Sequence, residues 1–196
     1  MEGARCLGDG QQVGGGPRSR LRQAAARLPE RIGRDAAVPG VDEGSTLHEA
    51  MRNPFRYYLR VRYIECDAQK VVFNSRYSEY VDVSINEFLR AAGVLADFVE
   101  GRLDFQLVKQ TVEWKAPARF DQVLELSVAA VRLGTTSFTI GTTFRIAGSE
   151  RAIVTAETVY VLVDAATLTK LVLPDSLRDA LTDGAAGRVT DHAAFL

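Results

Sequence analysis

By residue type and spacing, Asp67 is the residue best placed to do chemistry. It follows a strand-like run and precedes Val71-Val72-Phe73, Asn74 and a long amphipathic segment. In that segment Tyr77, Tyr80, Val81, Ser84, Ile85, Phe88, Leu89 and Ala92 recur at steps of three and four. This is the period of a helix with one broad buried face. Asn74 or Ser75 can cap its first turn, and Gly93 falls where a left-handed C-terminal cap is usual. A helix start offers free N–H groups and the positive end of a dipole. A carboxylate beside such donors suits acyl-transfer chemistry. The plainer reading of Asp67 is a turn aspartate that serves only the backbone. Glu65 is the rival carboxylate, but the pattern puts it on the strand. Cys66 has no base nearby to activate it.

The elements that must position Asp67 follow from the flanking patterns. Tyr58 to Ile64 alternates, with Leu59, Val61 and Tyr63 on one face and Arg60 and Arg62 on the other, which predicts a strand with one wet face. A short helical turn is expected around Leu95 to Val99. Beyond it, runs rich in Thr, Val, Ile and Phe predict strands at Phe105–Lys115, Val123–Leu133, Thr136–Ile146 and Arg151–Val163. Pro117, Gly134 and Gly148-Ser149 punctuate them. A last short strand is expected near Lys170–Leu173, and Pro174-Asp175-Ser176 can open a terminal helix.

One strand, one long apolar helix and four or five further strands make an α+β chain. The helix needs cover around most of its circumference. An antiparallel sheet of five to six strands, curled around one central helix, supplies it. Such a sheet leaves exposed edges and one bare face, which predicts a homodimer at least.

Residues 1–50 contrast with this core, holding Gly14-Gly15-Gly16, many Arg and Ala, and no aromatic residue. They are expected to form a disordered extension, or upstream sequence from a misplaced start, ahead of a domain spanning 51–183. Residues 184–196 are expected to be a flexible tail.

Composition excludes several function classes. The 196 residues carry a formal net charge of -1, and no basic block is interleaved with aromatics, so a nucleic-acid partner is not expected. No apolar run is long enough to span a bilayer. Two cysteines, Cys6 and Cys66, suggest a reducing, cytoplasmic setting without a disulfide framework. Two histidines, His48 and His192, lie near the ends, and no cluster has metal-ligand spacing; neither a metal nor another cofactor is expected.

The run Val61-Arg-Tyr-Ile-Glu-Cys-Asp67-Ala-Gln-Lys-Val-Val-Phe73-Asn74, followed by Tyr77 and Tyr80, resembles the 4-hydroxybenzoyl-CoA thioesterase branch of the hotdog-fold superfamily. Val112-Glu-Trp-Lys-Ala-Pro117-Ala-Arg-Phe-Asp121, Leu133-Gly-Thr-Thr-Ser137-Phe and Tyr160-Val-Leu-Val-Asp164 fall where that branch's later strands run. The resemblance implies hydrolysis of acyl-CoA or aryl-CoA thioesters. Asp67 would act as nucleophile or general base, and the Asn74 backbone N–H would hold the thioester oxygen. It also implies a site at a dimer interface, completed by a second subunit, in a homodimer or dimer of dimers. Val72, Phe73 and Tyr77 would then touch substrate. Asp82 matches an acidic position near it, and Arg132, Thr136 and Ser137 match a turn where CoA groups lie. Tyr77 also sits on the apolar helix face, where packing alone accounts for it. Where the family has Gly three residues after the aspartate, this chain has Lys70, a departure that bears on loop shape and substrate size. The alternative is a non-catalytic hotdog module that binds acyl-CoA or an acyl carrier.

Overall fold

A computed structural model describes residues 52–196 of the chain. The expected extension at 1–50, with Cys6 and His48, lies outside the described residues. In chain order the elements are β1 (Phe55–Arg60), α1 (Arg76–Ala91), α2 (Leu95–Val99), β2 (Asp104–Trp114), β3 (Val123–Leu133), β4 (Ser137–Ile146), β5 (Ala152–Val163), α3 (Asp175–Asp183) and β6 (Val189–Asp191).

The helix forms where the apolar period placed it. Tyr77, Tyr80, Val81, Ser84, Ile85, Phe88 and Leu89 make its buried face, while Ala92 is only half-buried. Its C-terminus closes as the glycine predicts. Gly93 takes φ +81°, its N–H reaches the Arg90 carbonyl, and the Val94 N–H reaches that of Leu89. That bond pair is a Schellman closure.

Six strands form one sheet in the order β2-β5-β4-β3-β1-β6. Alternate residues of β3 and β4, among them Leu124, Leu126, Val128, Phe138, Ile140 and Phe144, share a core with the α1 face. Phe55 meets Phe88 and Tyr77 meets Phe144 at ring-centroid distances of 6.1 and 5.7 Å. The sheet therefore curls around α1, as expected.

Three expectations need correction. The first strand ends at Arg60, and Tyr63–Glu65 form a 3-10 turn instead of continuing it. Tyr63, assigned by alternation to a buried face, is 81% exposed. Lys170–Leu173 forms no strand: Lys170 makes an isolated bridge with Val163, and the Leu171 and Leu173 N–H groups donate to the Leu162 and Thr135 carbonyls. The segment 184–196, expected to be a flexible tail, contributes β6, whose Arg56↔Val189 to Tyr58↔Asp191 register with β1 is parallel. The sheet is accordingly mixed, not antiparallel throughout. Asp191 closes the chain end by accepting from the N–H groups of Ala193, Phe195 and Leu196 at 2.8–3.0 Å. Short local bonds of this kind leave little trace in composition.

Candidate active site

Residues 65–73 fold into a small hairpin between β1 and α1. Phe73 N–H donates to the Glu65 carbonyl at 2.9 Å, Cys66 pairs with Val72, and Asp67 N–H donates to the Val71 carbonyl at 2.9 Å. At the tip, Lys70 N–H returns to the Asp67 carbonyl at 2.9 Å, and Lys70 takes φ +63°. A turn followed by one left-handed residue is the usual three-residue hairpin closure, and it explains a family preference for Gly there. Lys70 adopts the backbone that a glycine would. On its other side the hairpin is stitched to the β2–β3 connection, where Val72 N–H donates to the Ala118 carbonyl at 2.9 Å and Val71 pairs with Arg119.

Asp67 is half-buried at this tip. Its Oδ1 accepts from Gln69 N–H at 2.8 Å and, more weakly, from Val71 N–H at 3.4 Å. The turn-aspartate reading is thus realised by one oxygen. Oδ2 accepts from no group among the described residues, so it remains available to a water or a substrate.

The start of α1 lies next in the chain. Arg76 N–H donates to the Phe73 carbonyl at 2.9 Å. The N–H groups of Asn74 and Ser75 donate to no acceptor among the described residues. Ser75 is the N-cap residue and makes no side-chain capping bond. The expected cap is therefore absent among the described residues, and the free donors lie at the positive end of a helix of 16 residues. Val72, Asn74 and Tyr77 line a cleft of about 280 Å³ with Trp114, Lys115 and Pro117. Tyr77 is a wall with a structural bond as well, since its hydroxyl accepts from Ala118 N–H at 3.2 Å. Phe73, half-exposed, lies between Val72 and Asn74 at the same corner.

Beneath the hairpin lies the second carboxylate. Glu65 is 2% exposed. It accepts from Arg62 three times: N–H to Oε2 at 2.6 Å, and the guanidinium to Oε1 at 2.9 and 2.6 Å. Burial alone would raise its pKa, but the Arg62 guanidinium and N–H outweigh that and hold it below the usual carboxylate range. The buried Tyr80 hydroxyl beside it has no partner at hydrogen-bond geometry among the described residues. Burial first, and then the Glu65 carboxylate, push that phenol far above its ordinary range.

The remaining expected site residues lie elsewhere. Asp82 is six residues, about 9 Å, along α1 from the first turn at a rise near 1.5 Å per residue. Its side chain keeps contact with solvent, yet crowding removes enough water to raise the carboxyl. Arg132, Thr136 and Ser137 stand at the opposite end of the sheet. Arg60 pairs with Val123 at the start of β3, whereas Arg132 is nine residues further on, roughly 30 Å at a strand rise near 3.4 Å. There Thr136 accepts from Leu162 N–H at 2.9 Å. One chain brings Asp67, Val72, Phe73, Asn74 and Tyr77 together and leaves Asp82, Arg132, Thr136 and Ser137 apart.

Sequence reasoning missed Trp114 and Lys115 as cleft residues. The signal was present, in the chain's single Trp at a strand end just before Pro117. A larger groove, about 570 Å³, crosses the outer sheet face between Arg56, Glu125, Ser127, Thr143 and Arg145, and contains none of the expected site residues. Among the described residues no group of three or more His, Cys, Asp or Glu is arranged to hold a metal, and no helix is long and apolar enough to cross a membrane.

The sequence profile of the Thioesterase-like superfamily matches residues 61–181, from the end of β1 through most of α3. The chain belongs to that superfamily. As a member it is a thioester hydrolase of hotdog fold. The acyl-CoA thioester hydrolase YbgC of Escherichia coli is 32% identical over 129 residues, 63% of this chain and 92% of that protein. A probable thioesterase from Bartonella henselae superposes with a TM-score of 0.54 at 27% identity, over 61% of this chain and 98% of that one. The 1,4-dihydroxy-2-naphthoyl-CoA thioesterase from Synechocystis superposes with a TM-score of 0.61 over 66% and 96%, and its 19% identity speaks for the fold alone.

Proposed function

We propose that this thioester hydrolase acts on acyl-CoA or aryl-CoA, releasing the free acid and CoA, with Asp67 and the Asn74 N–H as its reacting machinery. The observation that carries the reading is local. One hairpin holds a carboxylate with a free oxygen, and the same hairpin runs directly into a helix start whose N–H groups are unclaimed. Asp67 either takes a proton from a water that attacks the thioester carbonyl or attacks that carbon itself. The second route gives an anhydride that water then hydrolyses. In both, negative charge gathers on the carbonyl oxygen as the carbonyl becomes tetrahedral. A fixed donor such as the Asn74 N–H stabilises that charge only as it develops, and loss of one such donor in other enzymes costs about 3–4 kcal/mol. Collapse breaks the C–S bond, and the thiolate leaves without needing a strong acid, which suits a site with no histidine beside it among the described residues.

The cleft walled by Val72, Tyr77 and Trp114 offers apolar surface for the acyl group. A second copy of the chain belongs to the same reading. β2 sits at the sheet edge, ten of its eleven residues paired with β5 and none paired on its other side among the described residues, and it exposes Leu107, Val108 and Trp114. Antiparallel pairing of two such edges would bring one chain's Trp114 to the end of the partner's sheet that carries its β4 start, across the partner's β2 and β5. Arg132 would then be placed for a CoA phosphate and Ser137 for the pantetheine arm. Cys66, a free thiol among the described residues, fits a reducing cytoplasmic setting.

The test is hydrolysis of acetyl-, hexanoyl-, palmitoyl- and benzoyl-CoA, followed by thiol release, with Asp67→Asn as the control. Turnover that collapses in the variant while the fold persists is the expected outcome. Undiminished turnover would remove Asp67 from the mechanism.

A further inference from the structure

We infer that Glu65 is a positioning residue, fixing Asp67 and the Asn74 N–H in one rigid frame; this rests on the roles proposed for those two groups. The residue sits where the two arms of the hairpin meet. Its carbonyl receives Phe73 N–H at 2.9 Å, one residue before Asn74, and its own chain reaches Asp67 two residues later. A shift of Glu65 therefore displaces both reacting groups.

What prevents such a shift is the side chain. Glu65 is the last residue of the Tyr63–Glu65 turn, and its carboxylate reaches back to the N–H and guanidinium of Arg62, the residue that opens the turn. Three charge-assisted bonds at 2.6–2.9 Å set the rotamers of both partners and close the turn. The pair is asymmetric, since Glu65 is 2% exposed whereas the Arg62 side chain is 72% exposed. Arg62 thus grips a buried anion from the solvent side. On the inner side lies Tyr80, 5% exposed, on the buried face of α1. The carboxylate is wedged between the turn before the hairpin and the helix after it.

A turn that only needed closing would not need a buried charge. Removing a carboxylate from water is unfavourable unless its bonds are well made. Here they are, and the result is a carboxylate with one fixed position two residues from a reacting group that tolerates little displacement.

The test is steady-state kinetics on hexanoyl-CoA and benzoyl-CoA for Glu65→Gln, Arg62→Lys, Asp67→Asn and the Asp67→Asn/Glu65→Gln double variant, with circular dichroism to confirm the fold. Glu65→Gln is expected to lower kcat at least about tenfold while KM changes less than about twofold, the pattern of an interaction made in the transition state. Arg62→Lys, which keeps the cation but loses the two-nitrogen grip, is expected to fall in between. In the Asp67→Asn background the Glu65 substitution should cost clearly less than in wild type, because the share of its effect that runs through Asp67 is already lost and only the share through the Asn74 N–H remains. Wild-type kcat in folded Glu65→Gln would overturn the inference. So would a loss that multiplies with that of Asp67→Asn, since Glu65 would then act on the reaction independently. If Glu65→Gln fails to fold, Arg62→Lys decides, and unchanged kcat there overturns it. An Asp67→Asn enzyme that keeps its rate would instead sink the proposed mechanism, so the two failures are told apart.

Discussion

The two ends of this sheet are built on different principles. At the Asp67 end, short polar bonds hold an exposed hairpin, and the buried Glu65 carboxylate is gripped by an exposed Arg62. At the other end, where β3 turns into β4, the packing is aromatic. Phe105 meets Phe98 and Tyr160 at 4.7 Å, and Phe138 stacks on Tyr160 at 5.3 Å. Burial, followed by the charge of Asp82, pushes the Tyr160 phenol far above its usual range, as expected for a hydroxyl deep in such a cluster. The apolar end is suited to stability, because dispersion and burial tolerate small displacements. The polar end is suited to chemistry, because hydrogen bonds fix direction as well as distance.

That contrast is broken most directly at the polar end. Asp67→Asn is nearly isosteric and retains a carbonyl oxygen for the Gln69 N–H, so the hairpin should survive. Loss of a general base or carboxylate nucleophile is expected to lower kcat about a thousandfold, equivalent to about 4 kcal/mol in the barrier. Thiol release from benzoyl-CoA under saturating substrate checks it. The reverse pattern is expected from Phe138→Ala. Phe138 is 1% exposed, and truncating it should cost about 3–5 kcal/mol of stability in urea unfolding, while kcat per folded molecule stays within about twofold. A thousandfold loss of kcat from Phe138→Ala would mean that the two ends are not separable.

The same division governs what could be read from the sequence. Long apolar periods are redundant, since each residue of α1 repeats the same instruction, so the helix, four of the strands and the buried face were legible. The register of a short turn rests on one or two bonds. Strict alternation thus carried Tyr63 and Ile64 into a strand, where Arg62 and Glu65 instead close a 3-10 turn. The parallel β6 was illegible for a similar reason, since three residues added to an open edge need no apolar period. Asp67 and Asn74 stood out because the helix that follows them is unmistakable. Trp114 is brought to the same cleft by sheet curvature, which no local pattern encodes.

The ends meet again if two chains pair along β2. Arg132→Ala is then expected to raise KM for CoA thioesters about tenfold and leave kcat within about twofold, since it removes a phosphate contact made equally in ground and transition states. Mixing Asp67→Asn subunits with Arg132→Ala subunits sharpens the point. A mixed dimer would contain one site with Asp67 from one chain and Arg132 from the other, both intact, and turnover with wild-type KM should return. If Arg132 served the Asp67 of its own chain, no mixture would restore it.

The smallest expected effect lies at the hairpin tip. Lys70 holds φ +63°, a conformation that costs an L-residue about 1–2 kcal/mol. Glycine would remove that strain but lose more backbone entropy on folding, by about 0.5–1 kcal/mol. The balance favours Lys70→Gly by up to about 1.5 kcal/mol, seen as a higher midpoint in urea. Because the backbone already takes the shape that glycine permits, kcat with acetyl-CoA should stay within about twofold of wild type. Benzoyl-CoA asks a different question of the same variant. A rise in kcat/KM for that bulkier ester alone would show that the Lys70 side chain, and not the loop it sits on, limits the size of acyl group the site accepts.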